Sequence, residues 1–229
     1  MNHSITNLNL AEQGILVLAA LVLLASFAML MQQRLVAVIN TFAWQGMLVS
    51  AVTALAAFAE YEPHLYYSAA LTLALKAILI PYMLHYQVKK LGLTKYVGST
   101  RSALVIMAGS SLVVFSYYIV LPIQTLDGFE SSRNIIAITL AVVLIGLLIM
   151  VTRHNAVGQV VGFMSMENGL FFAAVATTNG MPMIIELGVA FDVLVAAVLF
   201  GVFFFQIHGS VGSFDVDVMN KLSEREDQQ

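Results

Sequence analysis

Apolar residues run along this chain in long blocks. Seven stand out, near 14–31, 36–58, 65–86, 103–121, 135–152, 157–178 and 183–206. Most are close to the roughly 20 residues a helix needs to cross a bilayer, and well beyond the length of a barrel strand. The connections between them are short and collect the polar, Pro and Gly residues, as in Glu60-Tyr-Glu-Pro63, Asp127-Gly-Phe-Glu-Ser-Ser-Arg133 and Thr177-Thr-Asn-Gly-Met-Pro182. The pattern predicts an all-α integral membrane protein of seven transmembrane helices with no soluble domain.

Composition sharpens this picture. Of 229 residues, 60% are hydrophobic and 10% charged, against about 25% charged in a soluble domain. There is no cysteine, which excludes disulfides, iron–sulfur ligation and thiolate zinc sites within the chain. A net charge of −3 without a basic stripe gives no nucleic-acid signal. Residues 1–12 hold no Lys or Arg, unlike a signal-peptide n-region, so the first span is expected to be retained.

The basic residues also set an orientation. With seven spans, one side holds Arg34, Lys89, Lys90, Lys95, Arg101, Arg153, Lys221 and Arg225, and the other only Arg133. By the positive-inside rule the N-terminus is outside and the acidic C-terminal tail cytoplasmic.

Three charges fall inside the spans, where each costs several kcal/mol and implies a partner or a task. Lys76 is at the midpoint of the third span, with Pro81 five residues on. The missing N–H of Pro81 is expected to free the carbonyl of Ala77 and kink the helix. A lysine beside such a kink can exchange protons, while the structural alternative is a permanent ion pair that fixes helix register. Glu167 is near the middle of the sixth span. Gly158, Gly162, Ser165 and Gly169 share one face of that helix, where a neighbour can approach closely, and Glu167 points away from it. Both faces are therefore expected to be buried in protein. Asp192, near the centre of the seventh span, shares its face with Gly188 and Ala196.

The short 178–183 connection makes the last two helices antiparallel neighbours and brings Glu167 and Asp192 to similar depth. Two carboxylates there cannot both carry charge cheaply, and Lys76 would let them share protons. Glu186, nearer the outer end, reads as a water-access group or an interfacial residue. His85, at the cytoplasmic end of the third span, completes a candidate relay of Lys76, Glu167, Asp192, Glu186 and His85. A haem held by His85 and His208 is disfavoured, because both stand at helix ends in polar context. His64 and His154 fall in loops. Trp44, Gln45 and Asn40 make the second helix polar on part of its surface, which suggests a helix contact and no more.

At these residues the chain resembles a known family. Leu75-Lys-Ala-Ile-Leu-Ile-Pro81, Met166-Glu-Asn-Gly169, Ile185-Glu-Leu-Gly-Val-Ala-Phe-Asp192 and His208-Gly-Ser-Val-Gly-Ser-Phe-Asp215 are similar to motifs of the hydrogenase-4 component E family. Its members are membrane subunits of energy-converting [NiFe] hydrogenase and formate hydrogenlyase assemblies, relatives of respiratory complex I. The last three spans also resemble the K subunit of NADH:quinone oxidoreductase, through Arg153-His-Asn155, Gly162, Asn168 and His208.

That likeness divides the chain into a four-helix region, 1–133, and a K-like three-helix region with its tail, 134–229. The carboxylate slots of the K subunit fall at Met164 and near Ala196, whereas the acids here are Glu167 and Asp192. Both acids move about one turn in the same direction, roughly 4.5–6 Å, which would preserve a pair.

The resemblance implies no cofactor in this chain. It implies antiporter-like and quinone-site-like membrane partners, cytoplasmic iron–sulfur and [NiFe] hydrogenase subunits, and a bacterial or archaeal cytoplasmic membrane. The function expected is a non-catalytic subunit that carries protons through the midplane charges. The rivals are a small subunit of a multi-subunit cation/proton antiporter and a structural spacer whose charges pair statically.

Overall fold

The computed structural model describes residues 10–60, 63–90, 102–122, 130–177, 187–188, 190–198 and 201, and all of its regular structure there is helical. Helix α1 (Leu10–Met31) and helix α2 (Leu35–Glu60) form an antiparallel pair joined at Gln32-Gln-Arg34. The third span begins as α3 (Pro63–Thr72), with proline at the first helical position where a missing N–H costs nothing. It continues without a break through a π-helical segment, Leu73–Leu79, into α4 (Ile80–Lys90). Helices α5 (Ser102–Val120), α6 (Glu130–Thr152) and α7 (Ala156–Thr177) follow. The last expected span is described at 187–188, 190–198 and 201, where the backbone is helical; residues 190–198 are called α8.

Among the described residues, five helices are long and apolar enough to cross a membrane, within Gln13–Met31, Leu35–Phe58, Tyr66–Lys89, Ala103–Val120 and Arg133–Thr152. Helix α7 has 22 residues and carries Gln159, Glu167 and Asn168 within its length. It carries Glu167 between two neighbours. Its longest contact is with α6, and α2 covers a second side.

Glycine makes the α6–α7 contact possible. A Cβ on Gly162 would sit 2.7 Å from the backbone nitrogen of Met150, and one on Gly146 would sit 2.6 Å from that of Met166. Backbones approach this closely only where no side chain intervenes. The sequence reading placed Gly158 on this face with Gly162. Gly158 instead lies at the cap of its own helix, where its N–H donates to Asn155 Oδ1 at 2.6 Å. The close partner across the interface is Gly146.

The irregularity in the third span also differs from expectation. Ile80 donates its N–H to Leu75 O, so the chain winds in an i−5 register ahead of Pro81. In that register the N–H that proline lacks falls opposite the carbonyl of Lys76, rather than that of Ala77.

Among the described residues, buried apolar side chains form two clusters. One joins Met29, Ile39 and Phe42 with Ile149, Val161 and Met164. The other joins Ala19, Val49 and Val52 with Ile135, Val142 and Phe172. On α1, α2 and α7 these clusters occupy opposite halves of each helix. Between them lies a layer of buried polar side chains, including Ser26, Gln45, Ser165, Glu167 and Asn168.

Arg153 fastens one end of the bundle. Its Nη2 donates to the carbonyls of Met29 at 2.9 Å, Leu30 at 3.3 Å and Gln32 at 2.6 Å. These are the carbonyls a helix C-terminus leaves without partners. Burial pushes the Arg153 guanidinium below its ordinary value. Gln159 Nε2 returns a bond to the Arg153 carbonyl at 3.1 Å.

Candidate functional site

Lys76 sits at the centre of the π segment and is fully buried. Helix α2 can pass over it because residue 46 is glycine: a Cβ there would lie 3.0 Å from Lys76 Cβ and 3.1 Å from its carbonyl oxygen. The side chain reaches toward α7 and α8. Its ammonium forms an ion pair with Glu167 Oε2 and lies 3.4 Å from Asp192 Oδ1. The Phe171 ring, one turn beyond Glu167, has its centroid 4.8 Å from Nζ and adds cation–π attraction.

One cation therefore faces two carboxylates, a formal charge of −1 when all three are ionised. A single added proton makes the group neutral. Enclosure strengthens every pairing and makes any unpaired charge costly. Asp192 is wholly buried, and neither of its carboxylate oxygens makes a hydrogen bond among the described residues. Asn168 Oδ1 and Thr72 Oγ1 are in the same condition. Thr72 stands one turn before Lys76 along the helix, and Asn168 directly follows Glu167. Buried acceptors without partners are uncommon.

A second polar group adjoins the triad. Gln45, buried on α2, donates from Nε2 to Ser26 Oγ at 2.8 Å and to Ser165 Oγ at 3.1 Å. Its Oε1 accepts from Asn168 Nδ2 at 3.1 Å. The amide thus links α1, α2 and α7 at the level of Glu167. Sequence reasoning noted Gln45 as a helix contact and did not foresee this hub. The available signal was a glutamine within an apolar block.

The structure brings Lys76, Glu167 and Asp192 together at one ammonium. It does not bring His85 to them. His85 is half-buried with Nδ1 2.8 Å from the carbonyl of Pro81, nine residues beyond Lys76 and so about 13 Å along the helix. Glu186 and His208 lie outside the described residues, and His64, expected in a loop, falls instead in the first turn of α3. Met164 and Ala196, the slots where the K-subunit likeness anticipates acids, are buried apolar residues of the first cluster. Among the described residues no group of three or more His, Cys, Asp or Glu is placed to hold a metal ion.

The chain is 25% identical over 120 residues to hydrogenase-4 component E of Escherichia coli K12, covering 52% of this chain and 55% of that protein. The same protein in Shigella flexneri matches equally. The chain thus spans about half the length of these relatives. No family model matches it, and no solved structure does. An uncharacterized protein of Mycobacterium tuberculosis, Rv0085, is 32% identical over 205 residues, 88% of this chain and 92% of that protein. Shared identity over nearly the whole of both chains places this protein in the family of Rv0085.

Proposed function

We propose that the chain is a membrane subunit of a hydrogenase-like complex, and that Lys76, Glu167 and Asp192 form a proton-relay station within it. The observation that carries this reading is one buried ammonium within reach of two buried carboxylates, one of which lacks a hydrogen bond. Such a group can take up or release one proton while its neighbours reorganise around the same lysine. The distant similarity to hydrogenase-4 component E supports the kind of assembly. The orientation follows from the basic residues, with the N-terminus outside and the tail in the cytoplasm of a bacterium or archaeon.

On this reading redox chemistry resides in partner subunits of a formate hydrogenlyase-type, complex-I-related assembly. These partners are antiporter-like and quinone-site-like membrane subunits together with cytoplasmic iron–sulfur and [NiFe] subunits. They supply the energy, about 2.3 kcal/mol per charge moved against 100 mV. Glu186 and His85 serve as access groups toward the two faces. Small bound water bridges the stations, since the bare acceptors Thr72 Oγ1, Asn168 Oδ1 and the Asp192 carboxylate offer it partners.

The test replaces Glu167 by Gln, or Lys76 by Ala, in the intact complex and follows redox turnover and vesicle acidification together. Coupled proton movement is expected to vanish while the subunits still co-purify. Acidification at the parental rate in either variant would refute the relay. A static pair makes the opposite forecast for the charge-swapped Lys76→Glu, Glu167→Lys double variant, which would then work normally.

A further inference from the structure

Helix α7 and α8 enclose a groove of about 350 Å³. Phe163, Glu167, Leu170 and Ala174 line one wall, and Gly188 and Phe191 the other. From residue 163 to residue 174 the groove runs three turns of α7, about 16 Å. Among the described residues, Glu167 is the one charged residue that lines it. The ion pair with Lys76 engages Oε2, so one edge of the carboxylate lies at the floor of an otherwise hydrocarbon trough. Leu170 and Leu187 at its rims are 54% and 72% exposed.

The adjoining face of α7 is already filled by α6, backbone against backbone, with Met166 at the border of the two, and α2 covers another side. The groove is thus where α7 has space for another element. A lipid tail matches the apolar walls and offers the carboxylate nothing, whereas a carboxylate at that depth needs a donor or a cation. A helix of three contacting turns fits the length, and one polar side chain on it satisfies the charge.

We propose that this groove is an interface for a transmembrane helix of another polypeptide, one that presents a hydrogen-bond donor or a cationic side chain at the level of Glu167. The inference rests on the membrane-subunit reading above and is independent of the relay. Through this contact the partner touches the triad directly, because Glu167 is both the groove floor and the counter-ion of Lys76.

The absence of cysteine makes the test direct. A single cysteine at Leu170 or Leu187, labelled in the native membrane with a benzophenone maleimide, is photolysed and the products mapped by mass spectrometry. Val151 on α6, 81% exposed, is the control. Both groove positions are expected to give the same transmembrane peptide, severalfold above the control, carrying a donor side chain within one turn of the attachment. Replacing that donor by Leu is expected to lower the yield severalfold.

Adducts with lipid, with another segment of this chain, with a second copy of it, or with a helix wholly apolar at that level would overturn the proposal. Lipid adducts combined with lost proton movement in Glu167→Gln would sink the interface and leave the relay. The mapped donor helix combined with unimpaired proton movement would sink the relay and leave the interface.

Discussion

Asn168 donates its side-chain amide to Gln45 across 3.1 Å, one residue along from the carboxylate that holds Lys76. The neutral network and the charged triad are therefore consecutive on one helix. A change in either is expected to register in the other.

Gln45→Leu removes three interhelical hydrogen bonds while keeping the volume nearly constant. At about 0.6 kcal/mol for each such bond inside a membrane, the loss is expected near 2 kcal/mol. It is measured as the shift in denaturation free energy of the purified chain in mixed micelles. An unchanged midpoint would mean that Gln45 bears none of the helix association.

Lys76→Met leaves Glu167 and Asp192 enclosed without their common counter-ion. Breaking a buried pair this way costs about 3–5 kcal/mol. Adding Asp192→Asn to that variant removes one of the two stranded charges and is expected to recover part of the loss. A double-mutant cycle on the folded chain measures the coupling, and strict additivity would show that the 3.4 Å approach carries no interaction.

Arg153→Ala withdraws the donor from three carbonyls at the end of α1. The last turn of that helix is expected to fray, with amide exchange near residues 28–32 rising well above that in the middle of α1. Arg153→Lys is expected to rescue only part of this, since an ammonium lacks the planar fork that spans several acceptors.

The charged residues were easy to find in the sequence because nothing else in an apolar block explains them. Depth arithmetic on Lys76, Glu167 and Asp192 was enough to set them at one level. The neutral hub was not legible. Thr41 and Ser111 also sit in apolar helices, and each spends its hydroxyl on the carbonyl four residues back. Ser26 does the same with Val22 and yet also receives Gln45, a difference only the packing reveals. Arg153 read as a topology marker, because a basic residue in a short connection is normally solvated; here the end of α1 comes close enough to draw it inward. Helix register failed at Pro81 for a related reason. The sequence identifies the missing N–H and does not say whether the turn ahead winds at four or five residues.

The two apolar clusters on either side of the polar layer have an electrical consequence. Among the described residues, an ion moving along the bundle axis from the triad meets apolar side chains on both sides of the polar layer, where a bare charge is costly. The gap between α7 and α8 opens sideways, toward whatever lies beside it. On the proposed relay, access toward either face through Glu186 and His85 must pass these two clusters, and among the described residues the groove beside Glu167 faces sideways near the triad.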